Sequence, residues 1–159
     1  MKKTNDKVTA IVRKFFKEND WNVHEDISRM IFSGGIGLGS QSAISSVQFF
    51  LSVEDHYVIN HVVIPQKAVR NVSAVMEYIT RANFGLAMGN FELDLRDGEI
   101  RYKHMVNNIA LLHDYKYYMK ELLALPCQMI KRYGGGLMAI IFGDKSPLKE
   151  IEAVEGEII

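Results

Sequence analysis

Cysteine is nearly absent from this chain. Cys127 stands alone among 159 residues, so no intramolecular disulfide can form, and the pattern predicts a reducing, cytoplasmic compartment. An excess of one charge is also missing, since 19 Lys and Arg balance 19 Asp and Glu. That balance argues against broad nucleic-acid binding, which needs a basic excess or a clustered basic face. No apolar run approaches the ~18 residues that would span a bilayer. The segment from Met1 to Lys7 is polar with no apolar stretch behind it, which predicts neither an export leader nor a membrane anchor. Lys2, Lys3 and Lys7 read as a solvated terminus. Internal repeats and low-complexity linkers are lacking too.

What is present is ordinary globular material, with 48% hydrophobic and 24% charged residues. A chain of this length makes one domain, residues 1–159, and buries roughly two thirds of its unfolded surface without a metal or disulfide. Val8, Ile11, Val12, Phe15 and Phe16 fall at helical spacing and predict a first helix. Trp21, Val23 and Glu25 then alternate with polar neighbours as a strand, and Arg29 to Phe32 reads as a second. A glycine-rich loop, residues 34–40, separates these from a strongly alternating strand over Val47, Phe49, Leu51 and Val53 and its successor, Tyr57 to Ile64. Pro65 ends that strand and suits the first turn of a helix running through Val69, Val72, Val75, Met76 and Ile79. After Asn107 a long helix is expected, kinked or restarted at Pro126 and broken at Gly134 to Gly136, with a short apolar helix from Leu137 to Phe142. Ser146-Pro147 begins a last one. The order α-β(3-4)-α-β(2)-α indicates an α+β fold, an antiparallel sheet with helices packed on one face.

Two hairpins carry register expectations. If Val53 opposes Tyr57, then Leu51 meets Ile59 and Phe49 meets His61 on an apolar face. The opposite face then holds Gln48, Phe50, Ser52, Val58, Asn60 and Val62. Such a face is too apolar for water alone, and Phe50, Val58 and Val62 become the candidate partner-binding residues. In the second hairpin, Asp97-Gly98 supplies a two-residue turn, which pairs Arg96 with Glu99, Asp94 with Arg101 and Glu92 with Lys103, and places Leu95 opposite Ile100 in the core.

Chemistry is harder to find. Gly34-Gly35-Ile36-Gly37-Leu38-Gly39-Ser40 invites a phosphate cradle, but it has neither G-x-G-x-x-G nor Gly-Lys-Ser/Thr, and a strand follows where a helix should. A hairpin connection is the better reading, with a nucleotide- or phosphate-binding enzyme built on Gly35, Gly37 and Gly39 kept as the rival. His24, His56, His61, His104 and His113 show no metal-ligand spacing. His61 and His104 read as half-buried and hydrogen-bonded. Cys127 lacks a neighbouring base and reads as a small buried thiol. No catalytic residue, metal site or cofactor is predicted.

The runs Arg81-Ala82-Asn83-Phe84-Gly85-Leu86, Gly89-Asn90-Phe91-Glu92-Leu93-Asp94 and Asp97-Gly98-Glu99-Ile100-Arg101-Tyr102 together resemble the signature of the YbjN family. Met138 to Gly143 and Lys145-Ser146-Pro147 add to it. The family is also described as a bacterial sensory transduction regulator, with a fold similar to that of type III secretion chaperones. The resemblance implies a small, dimer-forming adaptor or regulator of bacterial origin without known catalytic residues. Arg81 and Asn83 carry it most strongly and stand as further partner-binding candidates. Their structural alternative has Asn83 and Gly85 in left-handed backbone at a helix end, with Arg81 near its carbonyls. The expected function is a non-enzymatic adaptor or chaperone-like regulator that holds a protein partner, or a second copy, on its sheet. A purely structural oligomer is the third possibility.

Overall fold

The computed structural model describes residues 2–156, and side chains from Asn5 onward; the side chains of Lys2 and Lys3 lie outside the described residues, and Lys7 is exposed. Helix α1 (Lys2–Glu18) buries Val8, Val12, Phe15 and Phe16 along one stripe. Its end is a left-handed cap at Asp20, φ 54°. The Trp21 amide donates to the Phe16 carbonyl and that of Asp20 to Lys17, while the Trp21 and Phe16 rings meet at 5.8 Å, the hydrophobic contact that accompanies such caps.

Six strands make one antiparallel sheet among the described residues: β1 (His24–Asp26), β2 (Ile31–Gly37), β3 (Ser46–Val53), β4 (Tyr57–Ile64), β5 (Asn90–Leu93) and β6 (Ile100–Asn107), in the order β1-β2-β3-β4-β6-β5. Helices α2 (Val72–Gly85), α3 (Asn108–His113), α4 (Tyr115–Gly143) and α5 (Pro147–Glu155) complete the chain. The fold is therefore α+β, as the element order indicates. No helix among the described residues is long and apolar enough to cross a membrane. One core lies between helices and sheet. It is anchored by Phe16 against Phe32 and Phe49, both at 5.7 Å, and by Phe91 against Tyr102 at 4.9 Å and Tyr133 at 5.7 Å.

The β3–β4 register departs from the expectation by one residue. Glu54 N–H donates to the Tyr57 carbonyl at 2.8 Å, so the turn holds two residues, Asp55 and His56, and Val53 pairs with Val58, Leu51 with Asn60 and Phe49 with Val62. A one-residue slip exchanges the faces of a strand. Val58 and Val62 are consequently sealed in the core, and Ile59, His61 and Val63 turn to the other side. The β5–β6 hairpin slips by two, which preserves its faces but opens the loop: Leu93 pairs with Ile100, and Asp94 N–H closes it on the Glu99 carbonyl. Leu95, expected in the core, is 66% exposed. The loop is seated by Gly98, φ 78°, whose carbonyl accepts from Ala68 N–H and whose missing Cβ would lie 2.5 Å from the Ala68 oxygen.

Other elements begin or end elsewhere than predicted. The glycine run is no loop, since Gly34 to Gly37 continue β2 and pair with β3. Gly34 sits where a Cβ would come within 2.9 Å of the Phe49 ring. Helix α2 starts at Val72, not after Pro65, and leaves Val69 exposed.

Helix α4 neither kinks apart at Pro126 nor breaks at its glycines. Proline withholds the N–H that would reach the carbonyl four residues back, here Leu122. The side-chain amide of Asn60, buried on β4, donates to that carbonyl at 2.8 Å. Gly134 and Gly136 let other elements close in: a Cβ would lie 3.0 Å from Ile44 at the first and 2.5 Å from the Tyr78 hydroxyl at the second. That hydroxyl donates to the Tyr133 carbonyl at 2.8 Å. In α5, Pro147 opens the helix as predicted, although Ser146 makes no side-chain cap bond.

Candidate functional site

With the helices on one side, the opposite side of the sheet is bare. Antiparallel partners share a face, and the observed registers assemble it row by row. One row runs Ile31, Ser52, Ile59, Met105; the next Ser33, Phe50, His61, Lys103; the third Gly35, Gln48, Val63, Arg101, Glu92. Phe50 is 40% exposed, Tyr57 42% and Met105 49%, and Ile31, Ile59 and Val63 on the same face are half-buried. A shallow depression of about 500 Å³ opens beside them, lined in part by Gln48, Phe50, Val63, Pro65 and Glu99.

The electrostatics divide this face. Burial, then the nearby Arg101 cation, push the His61 imidazole below its ordinary value, so it is neutral at pH 7 and belongs to the apolar part. At the β5–β6 edge Glu92 accepts from Arg101 Nε at 2.7 Å and from the Lys103 ammonium. Partial burial pushes the Glu92 carboxyl up, but those two hydrogen bonds and cations outweigh it and hold its pKa at about 2. A carboxyl depressed in the folded state adds stability that is full above its unfolded pKa of about 4.3 and is lost as pH falls through the folded value. Acid unfolding is expected to steepen between about pH 4.5 and 2, and Glu92→Gln should flatten that part of the stability curve, as urea melts at a series of pH values would record.

Of the partner-binding candidates from the sequence, only Phe50 lies on the open face. Val58 and Val62 do not, because the register places them under the helices. Arg81 makes a surface ion pair with Glu77 one turn back, at 2.8 Å. Asn83 fastens the end of α2 to β5: its amide donates to the Phe91 carbonyl at 2.9 Å and its oxygen accepts from Phe91 N–H at 2.8 Å. Neither Asn83 nor Gly85 is left-handed, since α2 continues through both. The ionic pattern expected in the second hairpin is also redrawn. Glu92 takes both Arg101 and Lys103, Asp94 binds Arg96, and Asp97 binds Lys67.

The sequence reading missed Ile31, Tyr57, Ile59, Val63 and Met105. For Tyr57, Ile59 and Val63 the signal was the turn length, since a two-residue turn at Asp55-His56 puts every odd-numbered residue of β4 on the outside; Ile31 and Met105 follow from the pairings of β2 and β6. The glycine run offers no phosphate cradle, its first four residues being strand. His104 is buried, as Nε2 lies 3.1 Å from Glu121 Oε1, and His61 lies on the other face. Burial pushes the half-buried Cys127 thiol up, against a smaller opposing effect of Lys131. No group of three or more His, Cys, Asp or Glu among the described residues is gathered as metal ligands would be. No family model, no curated protein and no solved structure matches the chain.

Proposed function

We propose that this chain is a non-enzymatic adaptor or chaperone-like regulator that binds a protein partner on the open face of its sheet. The single observation behind it is the set of exposed apolar side chains Phe50, Tyr57 and Met105 on that face, with half-buried Ile59 between them and half-buried Ile31 and Val63 to either side. Apolar area left bare on a flat sheet favours association with a partner of matching shape. The resemblance to the YbjN family and to type III secretion chaperones points the same way, towards a bacterial, dimer-forming adaptor in signalling or stress regulation. A lone half-buried cysteine suits the cytoplasm.

The test is Phe50→Glu combined with Met105→Glu. Both side chains are exposed, so folding stability should change by no more than about 0.5 kcal/mol per site. Val62→Glu would not serve, because it drives a carboxylate into the core. Sedimentation velocity and affinity capture from bacterial lysate should show self-association or one stoichiometric partner for the parent chain and its loss in the double variant. A folded double variant that retains both would refute the open face as the binding surface.

A further inference from the structure

The chain has one tryptophan and one cysteine, and both line the same groove. It encloses about 470 Å³ between the end of α1, the end of β2 and the middle of α4, within the roughly 300–1,000 Å³ of ligand sites. Phe15, Trp21, Ile36, Leu38, Leu123 and Ala124 supply apolar walls. Along α4, Lys120, Leu123, Ala124, Cys127 and Lys131 follow helical spacing and form one stripe. That stripe is apolar in the middle and cationic at both ends. The two lysines stand eleven positions apart, which is about 16 Å along the axis. Neither lysine forms an ion pair among the described residues.

The groove suits a hydrocarbon chain better than a peptide. Asn19, its one neutral amide side chain, already donates to the Phe15 carbonyl at 2.8 Å. Away from the β2 edge, a peptide laid here would meet few side-chain partners for its N–H and C=O groups, and a buried polar group without a partner is unfavourable. An acyl chain needs no hydrogen bonds along its length, and one terminal anion matches the free cations at either end.

We propose that this groove binds a medium-chain fatty acid, its hydrocarbon lying along α4 against Trp21 and Leu123 and its carboxylate held by a rim lysine. The groove meets the depression of the open sheet face at Ile36 and Gly37, which line both, but the proposal does not depend on the adaptor reading. Laurate, below its micelle concentration, would be titrated into the intact chain while Trp21 emission and the alkylation rate of Cys127 by a small maleimide are followed. The expected result is a saturable blue shift with matching protection of Cys127. Methyl laurate should bind about 1.5-fold to fivefold more weakly, the size of an exposed ion pair, and Lys120→Ala with Lys131→Ala should erase the difference between acid and ester. Ala124→Phe, which fills the groove, should abolish both signals; if that variant misfolds, the exposed lysine pair still decides. Overturning results would be no saturable change, an acid preference that survives loss of both lysines, or undiminished binding to folded Ala124→Phe. Displacement of laurate by an apolar peptide with acidic ends, at lower concentration than any fatty acid, would equally overturn it.

Discussion

Asn60→Leu is expected to lower the stability of the fold by about 1–3 kcal/mol, the usual consequence of leaving a buried acceptor unpaired. The acceptor is the Leu122 carbonyl, which Pro126 cannot satisfy and Asn60 does, at 2.8 Å. Leucine is branched at the same carbon as asparagine but is bulkier, so no cavity is left and part of any loss would be overpacking; a second change at the proline isolates the hydrogen bond. Pro126→Ala restores the helical donor. Placed on the Asn60→Leu background it should recover about 1 kcal/mol of the loss beyond its effect on the parent chain. Urea denaturation of the four chains measures this coupling. A coupling near zero would mean that the amide and the proline are unrelated features of the same core.

Gly136→Ala presents a contest between two effects of opposite sign. Alanine in a helix interior is favoured over glycine by about 1 kcal/mol. Against this, the new Cβ would lie 2.5 Å from the Tyr78 hydroxyl and 3.1 Å from Glu150 Cβ. Tyr78 is buried, held edge-on against Tyr133 and bonded to the Tyr133 carbonyl, so it has little room to retreat. Overpacking of this kind costs about 1–3 kcal/mol, and a displaced hydroxyl adds about 1 kcal/mol. Gly136→Ala is therefore expected to destabilise by about 1–3 kcal/mol. Gly135→Ala, one residue away, meets no atom within 4 Å and should stabilise by about 0.5–1 kcal/mol. Thermal melts of the two single variants compare them directly. Equal shifts would show that backbone entropy alone governs the glycine triplet.

These two sites explain why the long helix was misread as fragments. Proline and three consecutive glycines are local signals of interruption, and nothing local reveals that Asn60, 62 residues before the Leu122 carbonyl it satisfies, repairs one and that Ile44 and Tyr78 occupy the space left by the others. The glycine run of β2 was misread for a similar reason. Its composition suggests a loop, while Gly34 is required by the Phe49 ring that crosses above it.

The alternation of β3, the helical stripe of α1, the element order and hence the α+β class were all legible in the residues, because side-chain period follows directly from backbone geometry. The identity of the open face was not. It turned on whether two or three residues make the turn after Val53, a choice worth little locally that exchanges every side chain of β4 between core and surface. The sequence by itself determined which segments are greasy on one side and how many layers they need. Only the tertiary structure decided which residues remain outside, because burial belongs to the packed whole: Val62 is covered, and Phe50 is not, according to what the helices of the same chain reach.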